Sequence, residues 1–245
     1  MRRILALICC LSAIAQPLRA ESALIAVATN FLGAAERLAA GYGAASGHEI
    51  TLSAGATGKL YAQIIAGAPY DALLSADSDT VSRLVGEGRA VAASRFTYAF
   101  GALALWSPDP ARDLSDPRAA LETARHVAIA NPALAPYGKA AMEAIESLEF
   151  SDAVTRKIVM GENIGQAQLM VASGAAEIGF VAASATLGAG GAQWPVPVGA
   201  HAPIRQDAAL LQHGAANKAA AGFLAYLASD KAKAIITTLG YGVAP

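Results

Sequence analysis

Four places in this sequence put a small polar residue, or a proline, between a short apolar run and a helical pattern: Thr29-Asn30 before Phe31, Thr57 before Gly58, Pro136 before Tyr137, and Asn163 before Ile164. The first backbone N–H groups of a helix have no partner inside it, and with the aligned peptide dipoles they make its N-terminus attractive to negative charge. Thr29 and Asn30 are placed to cap the helix that opens at Phe31, and Thr57 and Asn163 to cap the helices that follow them. Pro136 fits a first helical position, which leaves the N–H groups of Tyr137 and Gly138 unpaired. One capped helix is an ordinary structural device. Four that converge form a cleft for one small anion.

Other chemistries find less support. His48, His126, His201 and His213 stand at no metal-ligand spacing from one another, so no transition-metal site is expected. No serine sits in a G-x-S-x-G elbow, so the nucleophile of that hydrolase class is missing. Asp77 with Asp79, and Asp207 with Glu21, make no glycosidase or metal pair and read as helix starts and solvated faces. The stretch from Ser53 through Gly58-Lys59 to Leu60 looks like a phosphate loop only superficially. A Walker loop needs Gly where Ser53 stands, and Ser or Thr where Leu60 stands to hold Mg²⁺.

The elements that must position these residues follow from the apolar period. Strands are expected at 24–28, 48–53 and 71–75, each before a helix: 31–45, 58–66 and 78–87. The apolar run 96–106 is long enough to cross between two lobes and ends at the Pro108/Pro110 turn. A second alternating set follows, with 127–130 before a helix opening at Pro136, 157–160 before one near Ile164, and 177–181 before a short helix near Ser184. After a loop at 188–191 and a strand at 194–198, the segment 204–211 runs back to the first lobe, and helices over 216–228 and 230–239 close the chain. This pattern predicts an α/β fold of two lobes, each a mixed, mostly parallel sheet flanked by helices, joined by two crossing segments. Residues 21–98 with 203–245 form lobe 1 in this reading, and 99–202 form lobe 2. Ligands of such sheets bind beyond the C-terminal ends of the strands.

Composition narrows the partners. The chain has 245 residues, with 18 Lys and Arg against 19 Asp and Glu, 15% charged and 55% hydrophobic. Low charge with high hydrophobicity argues against disorder, and the lack of a basic excess argues against nucleic acid. Arg2 and Arg3 lead into an apolar run over 4–14 that is too short to span a bilayer, and Leu18-Arg19-Ala20 offers a cleavage site before Glu21. Residues 1–20 are therefore expected to be a secretory signal peptide, cleaved near Ala20. Cys9 and Cys10 lie inside it, so the mature chain has no thiol and carries 15 basic against 19 acidic residues, a net charge of −4.

The same loops carry a resemblance. Val27-Ala28-Thr29-Asn30-Phe31, Gly55-Ala56-Thr57-Gly58-Lys59-Leu60-Tyr61, Ala135-Pro136-Tyr137-Gly138, Gly161-Glu162-Asn163-Ile164-Gly165-Gln166 and Pro203-Ile204-Arg205-Gln206-Asp207-Ala208, in this order, resemble the periplasmic molybdate-binding proteins of ABC transporters, the ModA family, in the branch with Thr-Asn in the first loop. The likeness extends over essentially the whole mature chain. It implies a two-lobed, type II periplasmic-binding-protein fold that closes on a tetrahedral dianion through neutral donors. Carried over by motif, the ligand positions fall on Thr29, Asn30 and Thr57, and the backbone N–H donors of the second lobe on Tyr137 and Ile164. Two departures stand out. Many members have Ser where Thr57 stands, and some use a Tyr hydroxyl where this chain has Ala182, a donor that Asn30 would replace.

The function so implied is capture of molybdate or tungstate in the periplasm and delivery to the membrane permease of an ABC transporter. It implies no catalytic residue, no cofactor and no cation site, since Mo or W is bound only as an oxyanion, and a monomer is the state suited to delivery. The five positions contribute no Lys, Arg or carboxylate. That fits a fully deprotonated dianion, because a protonated phosphate needs an acceptor for its proton. Sulfate meets the same description and is the alternative ligand. An exported enzyme acting on a phosphorylated or sulfated small molecule needs a general base in the cleft, and none of the five titrates near neutrality. Glu162, next to the site in sequence, is the carboxylate whose direction bears on this argument.

Overall fold

Short runs rich in Ala, Val, Ile and Leu form buried strands, as expected of sheets covered by helices on both faces. In the computed structural model, which describes residues 20–243, the chain lays down β1 (Ser22–Ala28), β2 (Glu49–Gly55), β3 (Ala72–Leu74) and β4 (Phe96–Gly101). It then passes through Ala102 alone into β5 (Leu103–Ser107), builds β6 (Val127–Ala130), β7 (Ile158–Gly161), β8 (Ile178–Ala182) and β9 (Ala192–Pro195), and returns in β10 (Ile204–Leu210). The signal-peptide reading, with Cys9 and Cys10, lies outside the described residues except for Ala20.

Two five-stranded sheets result, ordered β2-β1-β3-β10-β4 and β7-β6-β8-β5-β9. The pairings leave β10 as the one reversed strand of the first sheet and β5 as that of the second. The mixed, mostly parallel lobes expected from the sequence are thus observed. A strand that enters a lobe from the cleft must run away from it, against neighbours whose C-terminal ends point towards it. β5 and β10 are the two strands that follow a crossing.

The first sheet is flanked by α1 (Leu32–Ser46), α2 (Thr57–Ile65) and α3 (Asp79–Gly86), the second by α4 (Pro117–Thr123), α5 (Pro136–Ser147), α6 (Ser151–Val154) and α7 (Ile164–Ala172). α8 (Lys218–Leu227) and α9 (Asp230–Thr238) pack back on the first. Ala34, Ala35, Leu38 and Tyr42 make the buried stripe of α1 at helical spacing and meet Phe223 and Leu227 of α8 in one core. On the other face of the first sheet, Leu60, Leu73, Leu84 and Leu211 form a second core. The core of the second sheet, around Leu105, Ile129 and Phe180, includes Ala28, Ala76 and Ile204, so apolar packing continues across the lobe boundary.

Asp207 departs from the solvated-face expectation. It is fully buried in β10, where Arg95 Nε at 2.8 Å, Thr97 Oγ1 at 2.8 Å and Arg205 Nε at 3.2 Å engage its carboxylate. A buried carboxylate persists only when paired in this way. The register shift between Gln206 and Asp207 accompanies the burial of both neighbouring polar side chains, each 0% exposed.

Candidate functional site

The four helix starts converge on one chamber between the sheets. Its wall includes Thr29 and Asn30 after β1, Thr57 at the start of α2, Tyr137 in the first turn of α5, and Asn163 and Ile164 at the start of α7. All five sequence-derived site residues are therefore brought together. The chamber is small, with a cavity volume of about 10 Å³, far below the ~300–1,000 Å³ of pockets that take drug-sized ligands. No charged side chain lines it. Each helix end contributes roughly half an elementary positive charge, so four ends supply about two, matching a dianion.

The hydroxyls are aimed by their lone pairs. Thr57, 2% exposed, accepts the Ala76 N–H at 3.2 Å. Thr29 Oγ1 accepts the Gly165 N–H at 3.3 Å, from the opposite lobe. With an acceptor site occupied, each hydroxyl keeps its proton for another partner.

The caps differ from the expectation at three points. Thr57 is the first residue of α2 and Ala56 holds the cap position, which frees the Thr57 side chain for the Ala76 contact. Thr29 and Asn30 make no side-chain cap: the chain forms a 3-10 turn over Thr29–Phe31 before α1, and the Asn30 amide engages Gln206 at 2.9 Å. The Gly138 N–H is paired, donating to Ala135 O at 2.9 Å, because the first turn of α5 tightens behind Pro136. Among the described residues the N–H groups of Tyr137 and Ile164 meet no backbone acceptor. Asn163 caps α7 as expected, accepting the Gln166 N–H at 2.9 Å.

Close approach of the two lobes needs glycine at one place in particular. The Gly58 N–H donates to Leu134 O across the boundary at 2.9 Å, and a Cβ on Gly58 would lie 3.1 Å from that oxygen. At the rim, Glu162 does not enter the chamber. It pairs with Lys59 of the opposite lobe at 2.5 Å, both side chains about half exposed. A neighbouring groove is lined by Asp77, Asp79, Lys139, Glu143 and Arg205; its three carboxylates make it the wrong surface for a bare dianion.

The loop that carries Thr29 and Asn30 is fixed from behind. Phe31, fully buried, packs edge-on against Tyr98 at 4.6 Å and Tyr241 at 5.1 Å between ring centroids. Such pairs contribute about 0.5–1.5 kcal/mol each beyond burial. Tyr241 donates its hydroxyl to Asn30 O and accepts from Ser184 Oγ of the other lobe at 2.9 Å. Burial pushes the Tyr98 and Tyr137 hydroxyls well above the usual phenol range, so both stay neutral. Tyr98, Gln206 and Tyr241 escape a reading of the sequence because no local pattern ties them to residue 30. Among the described residues no group of three or more His, Cys, Asp and Glu is placed to hold a metal ion, and no helix is long and apolar enough to cross a membrane.

Two α/β lobes closed over an uncharged, donor-lined chamber define a solute-binding protein. The chain matches the family of bacterial extracellular solute-binding proteins over residues 23–242. It is 44% identical over 230 residues to the molybdate-binding protein ModA of Rhodobacter capsulatus, covering 93% of this chain and 91% of that one. It is 42% identical over 225 residues to ModA of Azotobacter vinelandii, covering 89% of each. The solved Azotobacter vinelandii periplasmic molybdate-binding protein aligns with a TM-score of 0.86 at 38% identity, over 91% of this chain and 100% of that one. The chain belongs to the ModA family of bacterial extracellular solute-binding proteins.

Proposed function

We propose that this protein captures molybdate or tungstate in the periplasm, between lobes that meet at Ala102 and in the segment 196–203, and hands it to the permease of an ABC transporter. Thr29, Asn30 and Thr57 donate from one side, and the N–H groups of Tyr137 and Ile164 from the other. The observation that carries the reading is the chamber itself: four helix N-termini and two aimed hydroxyls around a small space with no charged side chain. Dipoles fixed in place hold a dianion without a counter-ion. The names of the relatives support the choice of cargo. Cleavage of a signal peptide near Ala20 and a monomeric state belong to the same reading. No bond is made or broken, and no cofactor takes part.

Calorimetric titration of the mature chain with molybdate, tungstate, sulfate and phosphate tests the proposal. Tight, one-to-one binding of molybdate or tungstate is expected, with sulfate and phosphate far weaker. Tight sulfate binding without a molybdate response refutes the assignment.

A further inference from the structure

The segment after α9 lies against the first crossing between the lobes. Gly242 exchanges two main-chain hydrogen bonds with Phe100, at 2.7 and 2.9 Å, just before the crossing at Ala102. Beyond that crossing the 3-10 turn Ala183–Thr186 of the second lobe is held at its start, where the Ala183 N–H donates to Ala102 O at 2.9 Å. Gly240 lets the two segments meet. Its φ is +83°, and a Cβ on it would lie 2.7 Å from Leu187 Cδ1 and 3.4 Å from Ser184 Cα, so a side chain there would be both strained and crowded.

Tyr241, between these two glycines, is buried, and its hydroxyl has both roles filled. It accepts from Ser184 Oγ at 2.9 Å and gives its own proton to Asn30 O. Burial pushes this phenol above its usual range, so the proton stays in place at neutral pH. Donation therefore runs in one direction, from Ser184 of the second lobe through Tyr241 to the loop that carries Thr29 and Asn30. The ring is already fixed within the first lobe by Phe31 and by the pairing of Gly242 with Phe100. What the hydroxyl adds is a tie to the other lobe.

We infer that Tyr241 is a positioning residue for anion binding: through its hydroxyl it sets the Thr29–Asn30 loop against the second lobe, so that the donors of the two lobes keep the spacing that one anion needs. The inference rests on the reading of the chamber as an oxyanion site. Donors on two separate bodies hold one ion well only when they are placed to within about 0.5 Å. Neither Tyr241 nor Ser184 is part of the chamber wall, so both act only through the loop. Ser184 follows the residue bonded at the crossing, where rotation of one lobe against the other moves atoms least. The tie thus reaches the loop from beside the axis, whereas the Lys59–Glu162 pair acts at the rim.

A double-mutant cycle, read by calorimetric titration with molybdate, tests this. Tyr241→Phe keeps the ring on Phe31 and removes the hydroxyl, and it should weaken molybdate binding about tenfold. Ser184→Ala should weaken it about three- to fivefold in the otherwise unaltered protein, but by less than about 1.5-fold on the Tyr241→Phe background. Ser184→Thr, which keeps a hydroxyl, should bind within about twofold of the unaltered protein. An unchanged affinity in Ser184→Ala, or the same loss on both backgrounds, makes Tyr241 a packing residue of the first lobe alone and overturns the inference. Should Tyr241→Phe not fold, the two Ser184 variants decide: a loss in the alanine variant that the threonine variant does not share upholds it, and equal affinities overturn it. Failure of the unaltered protein to bind molybdate, tungstate or sulfate instead brings down the oxyanion reading, and this inference with it.

Discussion

The two sides of the chamber are built from different kinds of donor. The first sheet and its loops offer hydroxyls, Thr29 and Thr57, whereas the second offers main-chain N–H groups at the starts of α5 and α7. A main-chain donor is set as soon as its helix forms. A hydroxyl must be aimed by a contact, and here the two hydroxyls part company. Thr57 is aimed by Ala76 of its own lobe, so it is ready before the lobes meet. Thr29 is aimed by Gly165 of the other lobe, so it is set only on closure.

The largest effect is expected on the main-chain side. Ile164→Pro keeps a residue suited to the first helical position but deletes its N–H, and should cost about 2–3 kcal/mol of molybdate binding, the worth of a bond to a charged group. Ile164→Ala, which keeps the N–H, controls for the lost packing. Similar calorimetric affinities for the two variants break the assignment of a main-chain donor at this position. Next, Thr57→Val should lose about 2 kcal/mol of binding, and its ligand-free melting temperature should also fall, because the buried Ala76 N–H loses its acceptor. Thr57→Ser should bind within about threefold of the unaltered protein.

Thr29→Val sharpens the contrast between the hydroxyls. Its binding loss should be about 1–1.5 kcal/mol, but the ligand-free melting temperature should hold, since its aiming contact belongs to closure. Equal destabilisation of the ligand-free protein by Thr29→Val and Thr57→Val, measured by scanning calorimetry, erases the distinction. The smallest effect belongs to the rim: Lys59→Ala removes a half-exposed pair and should cost less than about 1 kcal/mol. That difference should vanish in roughly 0.5 M salt, where exposed charges are screened. A loss that persists there means that Lys59 does more than pair with Glu162.

Sheets and helices were legible because apolar period is a local property: the strands before α1, α2, α5 and α7 read directly from runs such as Val127 to Ala130. The four helix starts at the chamber were legible to within a residue, whereas the short α4 and α6 were not foreseen and α8 begins two residues later than expected. Thr57 reads as a cap and is the first helical residue, since threonine suits either place and the choice falls to Ala76, 19 residues on. Gly138 reads as a free donor, but the tight turn behind Pro136 takes its N–H. The direction of a hydroxyl or an amide lies further beyond local pattern. Thr29 depends on Gly165, 136 residues away, and Asn30 on Gln206, 176 away. Asp207 shows the same limit, since its partner Arg95 comes from 112 residues earlier in the chain.

The equal division of helix ends has a mechanical meaning. Each lobe carries two of the four helix ends around the chamber, so under the proposed function drawing the lobes apart removes half of the field holding the anion in a single motion. Unloading then requires neither a proton nor a competing ion. Whatever spreads the two halves has already released the cargo.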